Sequence, residues 1–131
     1  MDFDEFRGRT ESIDKLTAAG DDRALAAELE SLAAEDLPDL DRVRVLLQLS
    51  QAYERIKDSA AALKTLDRAA VIENRLSRFQ ASFRKADYLS RLGRHDECRD
   101  ILKALLERPE ATLSERHSFA SRLKLLRRVA K

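Results

Sequence analysis

Three short breaks recur at a nearly fixed interval along this chain, and that interval constrains the fold more than any other feature. They are Gly20-Asp21-Asp22, Lys57-Asp58-Ser59 and Gly93-Arg94-His95, which are 37 and then 36 residues apart. Apolar residues at helical spacing fill the segments between them. A further break at Leu37-Pro38-Asp39 lies within the first interval, and another at Arg108-Pro109-Glu110 follows the third break. A repeat of this length is typical of helix pairs stacked into an array.

The composition agrees with an almost wholly helical chain. Only three glycines and two prolines are present, whereas a β-rich fold needs turn residues about every ten positions. We therefore predict an all-α fold of about seven antiparallel helices, forming one domain over residues 1–131. The predicted helices are 4–18, 22–35, 39–56, 59–73, 76–92, 95–107 and 112–130. Asp21, Asp58 and either Thr112 or Ser114 are the expected N-caps.

The same data predict a soluble cytoplasmic protein. Cys98 is the single cysteine and permits no internal disulfide, which suits a reducing compartment. The acidic N-terminus lacks the apolar run of a classical signal peptide. No stretch approaches 18 consecutive apolar residues, so we expect no membrane span and no membrane partner.

A pattern of large and small residues identifies the type of repeat. Leu46-x-x-Leu49-Ser50-x-x-Tyr53 precedes Ala62-x-x-x-Leu66-x-x-Ala69. This resembles the tetratricopeptide repeat, whose pattern runs W-x2-L-G-x2-Y and then A-x3-F with a further alanine. Small residues let two helices approach closely, and large ones fill the gaps beside them.

The pattern recurs on both sides of this middle unit. The third unit has Ala86, Leu89, Gly93, Cys98, Leu102 and Leu105; the first has Ile13, Leu16, Gly20, Leu25, Leu29 and Leu32. The predicted repeats are 4–36, 39–74 and 76–108, and helix 112–130 is predicted to cap the array through Phe119, Leu123, Leu126 and Ala130. Leu125 and Val129 widen that stripe, which indicates either deep packing, which we favour, or a dimer contact.

The resemblance implies a solenoid in the form of a right-handed α-α superhelix. It also implies a concave groove, lined by the first helix of each pair, that receives a peptide or helix of a partner protein. The implied groove residues are Arg44, Gln48, Gln51, Arg55, Gln80, Phe83, Arg84, Asp87 and Arg91. On the first helix, Arg7, Glu11 and Asp14 face the same way, and Arg116 extends the surface. This set is mildly basic and rich in glutamine, so it predicts an acidic or polar peptide.

Individual groove residues also have structural interpretations that stay open. Phe83 fits a contact with a partner or packing against the neighbouring repeat. Arg84 and Arg91 fit a carboxylate ligand, or an ion pair with Asp87, or a solvated surface.

Nothing in the sequence predicts catalysis, a cofactor or a metal. His95, Asp96, Glu97 and Cys98 are adjacent, but they follow directly after a turn and suit the start of a helix better than a ligand set. Cys98 occupies a small-residue position and is predicted to be buried, which disfavours a reactive thiolate. We therefore predict a non-enzymatic protein.

Charge is unevenly distributed, and this leaves two alternatives beside a protein-binding scaffold or adaptor. Residues 1–40 hold 4 Lys/Arg and 12 Asp/Glu, and the remainder hold 21 and 12. The first alternative is a nucleic-acid-associated regulator, although few aromatic residues lie near the basic residues that would contact the nucleic acid. The second is a secretion-type chaperone or self-assembling module, that is, a homo-oligomer held together by opposite charges. The predicted polyanion contacts are Arg122, Lys124, Arg127, Arg128 and Lys131.

Overall fold

The computed structural model describes residues 2–129, and within that range it is built from seven helices and contains no strand. The all-α prediction is confirmed; the right-handed superhelix remains a prediction. The helices are α1 (Phe3–Ala19), α2 (Asp22–Ala33), α3 (Asp39–Arg55), α4 (Ser59–Arg75), α5 (Gln80–Arg91), α6 (His95–Leu106) and α7 (Leu113–Val129).

The first helix of each predicted pair ends in the same way, which explains the period physically. In each case one residue adopts the left-handed conformation, and the next N–H donates a hydrogen bond to the carbonyl five residues back, which closes the exposed end of the helix. The left-handed residues are Gly20 (φ 69°), Lys57 (φ 63°) and Gly93 (φ 81°). The closing bonds run from Asp21 to Leu16, from Asp58 to Tyr53 and from Arg94 to Leu89.

The N-terminal caps also follow the sequence prediction. The Asp21 carboxylate accepts a hydrogen bond from the N–H of Ala24, and the Asp58 carboxylate accepts one from Ala61. At α7, the Thr112 hydroxyl accepts from the Glu115 N–H while the Glu115 carboxylate accepts from the Thr112 N–H. This reciprocal pair is a capping box.

The boundary between α4 and α5 differs from the prediction. Helix α4 continues to Arg75, and α5 begins at Gln80 instead of residue 76. The break lies at Ser77, which takes a left-handed φ of 54°. The N–H of Arg78 then closes the helix end by donating to the Glu73 carbonyl. Because serine is an uncommon residue for this conformation, the sequence contains no obvious signal for this turn.

Contacts divide the chain into two compact units, one ending at Ala69 and the other beginning at Ala70, within α4. In the N-terminal unit, α1 packs on α2 and α2 on α3; in the C-terminal unit, α5 packs on α6 and α6 on α7. Turns of only a few residues join these neighbours, as in antiparallel helical hairpins. A single domain over the whole chain remains a prediction.

The large-small pattern coincides with the buried positions. In the middle unit, Tyr53 is half-buried and the other pattern residues are buried, namely Leu46, Leu49, Ser50, Ala62, Leu66 and Ala69. In the third unit, the buried pattern residues are Ala86, Leu89, Cys98, Leu102 and Leu105. On α7, Phe119, Leu123 and Leu126 are buried, whereas Leu125 is 50% exposed and does not pack deeply. Ala130 and the side chain of Val129 lie outside the part of the chain that is described.

Tyr53, the largest residue of the repeat pattern, joins three helices of the N-terminal unit through its hydroxyl. Burial raises the pKa of that hydroxyl, and the adjacent Glu30 carboxylate, to which it is hydrogen-bonded, raises it further. Glu30 in turn pairs with Arg68 of α4 at 2.7 Å. The tyrosine therefore contributes a polar link between α2, α3 and α4.

Glu73 is a buried carboxylate at the α4–α5 turn. Its side chain is only 2% exposed and accepts a hydrogen bond from the N–H of Ala81, in the first turn of α5. Burial raises the pKa of Glu73, although that hydrogen bond and the positive charges of Arg78 and Arg84 oppose the shift.

We expect Glu73→Gln to reveal this shift as a pH-dependent difference in stability. A raised pKa means that the folded state holds the proton more tightly than the unfolded state, so the glutamate's contribution is full below its unfolded pKa and is lost as pH rises through the folded pKa. Glutamine stays neutral and keeps the oxygen that accepts from Ala81. Thermal unfolding between about pH 4 and pH 7 should show the wild type losing stability relative to the variant as pH rises. If the difference in stability between the wild type and the variant stayed constant with pH, or changed in the opposite direction, the raised pKa of Glu73 would be contradicted.

Candidate functional site

An open groove crosses the N-terminal unit between α1 and α3, with α2 as its floor. It consists of two clefts of about 180 and 130 Å³ that share Ile13 and Gln48. We call this surface the α1–α3 groove. Its lining residues are Phe6, Thr10, Ile13, Asp14 and Thr17 from α1; Leu25, Leu29 and Leu32 from α2; and Asp41, Arg44, Val45, Gln48, Gln51 and Arg55 from α3.

Helical spacing accounts for the polar wall that α3 contributes. Arg44, Gln48, Gln51 and Arg55 follow one another at intervals of four, three and four residues, and such positions share one face of a helix. All four were predicted as groove residues, and the structure brings them to one surface opposite α1. Whether this surface binds a partner remains a prediction.

Three of these four side chains are available for a ligand. Arg44, Gln48 and Gln51 are exposed and make no hydrogen bond or ion pair with another described residue. Arg55 differs, because its guanidinium pairs with the Asp22 carboxylate at 2.8 Å and ties the end of α3 to the start of α2. The α3 wall therefore presents one uncommitted cation and two amides.

The hydroxyl groups of the α1 wall are satisfied within their own helix. Thr10 and Thr17 donate to the carbonyls of Phe6 and Ile13, at 2.9 and 2.8 Å. Their methyl groups remain to contact a ligand, so α1 contributes a less polar wall than α3.

A third cleft, of about 240 Å³, adjoins the groove at its Phe6 and Asp41 end. We call it the Phe3–Phe6 pocket, and its lining residues are Asp2, Phe3, Phe6, Asp36, Leu37, Pro38 and Asp41. Neither phenylalanine was among the predicted site residues. Two phenylalanines three residues apart among carboxylates were a usable signal, because such residues share one helix face.

The predicted groove residues of α5 lie in the C-terminal unit and are largely engaged within it. Phe83 is half-buried, with its ring centroid 5.6 Å from that of Phe119 on α7. The Arg122 guanidinium lies over the same Phe83 ring at 5.7 Å. These contacts agree with the packing interpretation of Phe83.

The charged residues of α5 are engaged too. Asp87 pairs with Arg122 at 3.0 Å and with Arg91 at 3.7 Å, and Arg91 also lies over the Tyr88 ring at 5.3 Å. Burial raises the pKa of the Glu73 carboxyl, and the positive charge of Arg84 acts on that carboxyl and opposes the rise. Gln80 is exposed at the first position of α5. The α5 set therefore offers fewer uncommitted groups than the α3 set.

The basic residues of α7 divide into committed and uncommitted groups. Arg122 is held by Asp87 and Phe83, whereas Lys124, Arg127 and Arg128 are exposed; Lys131 lies outside the described residues. Arg116, predicted to extend the groove, instead donates hydrogen bonds to the carbonyls of Leu106, Arg108 and Ala111 and so fixes the end of α6.

The residues that could carry reactive or metal chemistry are dispersed or buried. Cys98 is fully buried as predicted, and burial raises the pKa of its thiol. Within residues 2–129, no group of three or more His, Cys, Asp or Glu side chains is arranged to hold a metal ion. The Nδ1 atom of His95 is buried without a hydrogen-bond partner in the same range.

No helix in the described range combines the length and apolar character needed to cross a membrane.

The chain matches no family model, no curated protein and no solved structure.

Proposed function

We propose that this protein is a non-catalytic, tetratricopeptide-like interaction scaffold that holds a peptide or helix of a partner protein in the α1–α3 groove. The observation that carries the proposal is the combination of an apolar floor with uncommitted polar side chains along one wall. Leu25, Leu29 and Leu32 of α2 form the floor, and Arg44, Gln48 and Gln51 lie along the α3 wall. Concave sites with a few placed polar groups are the usual form of a binding site.

The dimensions of the groove support a short ligand. From residue 44 to residue 55, α3 rises by about 16 Å, given 1.5 Å per helical residue. An extended peptide of about five residues spans that length, as does a helix of about three turns. The proposed ligand is therefore a short segment of another protein, which suits an adaptor.

The available side chains favour a polar or acidic ligand at the α3 wall. A glutamine amide both donates and accepts hydrogen bonds and can pair with the backbone of an extended peptide. The Arg44 guanidinium can bind a carboxylate through two parallel hydrogen bonds, in bidentate geometry. We propose cytoplasmic localisation with this activity, in keeping with the single, buried cysteine.

A charge reversal at Arg44 tests the proposal. Because Arg44 is exposed and uncommitted, Arg44→Glu should leave the fold intact while weakening capture of an acidic or polar partner by about tenfold, the loss of roughly one charge-assisted contact. Arg23→Glu makes the same charge change at an exposed α2 position outside the lining of the groove. The measurement is quantitative affinity capture from native lysate with the three proteins at equal helicity and melting temperature.

The result that supports the groove is one protein retained by the wild type and Arg23→Glu but lost with Arg44→Glu. Equal retention by all three proteins would show that the groove is not the binding surface.

A further inference from the structure

The Phe3–Phe6 pocket is an apolar surface with an acidic rim. Phe3 is 70% exposed and Phe6 is 39% exposed. Asp36 and Asp41 stand beside them, and Asp2 also lines the pocket, although one of its oxygens accepts the N–H of Glu5. The cation Arg7 lies over the Phe3 ring at 4.8 Å and offsets part of this charge.

The exposed face of α7 has the opposite character. Leu125 is half-exposed, and Lys124 and Arg128, one residue before it and three after it, are both exposed. Arg128 is three residues from Leu125 and four from Lys124, and residues at those two spacings are neighbours on a helix surface. The described acidic residue of α7, Glu115, is used in the cap of its own helix.

We propose that α7 of one copy docks into the Phe3–Phe6 pocket of a second copy. Leu125 would contact Phe3 and Phe6, while Lys124 and Arg128 would face Asp36 and Asp41. The complementary charge and the matching exposed apolar groups select a second copy as the occupant. Because the two surfaces differ, the contact is heterologous, and such contacts build open chains unless they close into a ring.

This association has a consequence for the α1–α3 groove. The pocket shares Phe6 and Asp41 with that groove, so a docked α7 would cover one end of it. Self-association would therefore compete with a ligand that reaches that end. The inference rests on the pocket and on α7, and it stands apart from the proposed peptide binding.

The first measurement is the salt dependence of mass in solution, by sedimentation velocity over a range of concentrations. At about 50 mM salt, where charges act over more than 10 Å, the wild type should show a weight-average mass that rises with concentration above the 14.9 kDa of one chain. At about 500 mM salt, where screening is strong, the mass should fall towards one chain.

Charge-swapped variants identify the surfaces. One variant carries Asp36→Lys and Asp41→Lys, and the other carries Lys124→Glu and Arg128→Glu. Each alone should remain at the mass of one chain, because like charges face each other at the contact. An equimolar mixture should associate again, because each altered surface then meets its complement.

Controls separate the contact from general effects of charge or folding. Lys64→Glu with Lys103→Glu changes the same number of exposed lysine or arginine charges on α4 and α6, and it should keep the wild-type association. Phe3→Asp, at a 70% exposed position, is a second pocket variant if the double aspartate variant does not fold, and it should abolish association.

A wild type that stays at the mass of one chain in low salt would overturn the proposal, as would a mixture of the two charge-swapped variants that fails to associate. Arg44→Glu is expected to leave self-association unchanged. A loss of partner capture without a loss of self-association, or the reverse, therefore separates failure of the peptide groove from failure of this contact.

Discussion

Replacing Phe79 by alanine should lower the free energy of unfolding by about 4 kcal/mol, as for other buried phenylalanines. The Phe79 ring is 2% exposed although it lies in the turn between α4 and α5. The Arg108 guanidinium lies over this ring at 5.4 Å. Truncation would therefore leave a cavity where the start of α5 is fixed and would also remove a cation–π contact.

Leu76→Ala is the matched control for Phe79, because Leu76 is 37% exposed in the same turn. It should cost less than about 1 kcal/mol, as is usual for a partly exposed apolar side chain. Urea unfolding followed by circular dichroism would measure both variants. If Phe79→Ala and Leu76→Ala lowered the free energy of unfolding equally, the Phe79 ring would not anchor this turn.

Leu49→Ala should cost about 3 kcal/mol, within the usual range for a buried leucine. Leu49 is completely buried on α3 and is one of the large residues of the repeat pattern. The cost combines the lost transfer of apolar atoms from water with the cavity that close-packed neighbours cannot fill. Thermal unfolding should show a midpoint lowered by roughly 10 °C.

Leu40→Ala provides the comparison on the same helix, since Leu40 is 41% exposed in the first turn of α3. Its midpoint should lie within a few degrees of the wild type, corresponding to about 0.5 kcal/mol or less. If Leu49→Ala were tolerated equally well, the large-small pattern would not define the core.

The helices could be predicted where a turn residue or a cap stands in the sequence, and they were misplaced where a tertiary contact sets the boundary. Gly20 and Gly93 mark two helix ends directly, and Lys57 occupies the equivalent place because the period locates it. Ser77 is not a glycine, and the period does not locate a helix end at its position. The turn there depends on the buried Phe79 and on the Glu73 side chain, which caps α5 from eight residues away, and local propensity carries no information about such a contact.

The candidate site was predictable to the extent that helical spacing defines one face of α3. Helical spacing places Arg44, Gln48 and Gln51 on one face, and the resemblance to the repeat family implied that this face lines a groove. Which α5 side chains are free to bind a ligand could not be predicted equally well, because two of them contact α7. Phe83 packs on Phe119, and Asp87 pairs with Arg122. Spacing within one helix does not show which of its residues a later helix will contact.

The Phe3–Phe6 pocket was missed for a related reason. Its walls come from the first turns of α1, from the loop around Leu37 and Pro38, and from Asp41 in the first turn of α3. These segments are 30 or more residues apart in sequence, and no shared helical face connects them. The exposed phenylalanines indicated an unusual surface, but only the fold supplies the carboxylates of Asp36 and Asp41 beside them.

Site-specific photo-crosslinking at Gln48 tests the central claim, that the α1–α3 groove holds a partner, most directly. A photoreactive phenylalanine derivative would replace Gln48, which lines both clefts, and in a control protein it would replace Lys64, exposed on α4. We predict a covalent adduct with one partner protein from position 48 that is absent from position 64 and is weakened by Arg44→Glu. Adducts of equal yield from both positions, or an adduct from position 64 alone, would contradict the account.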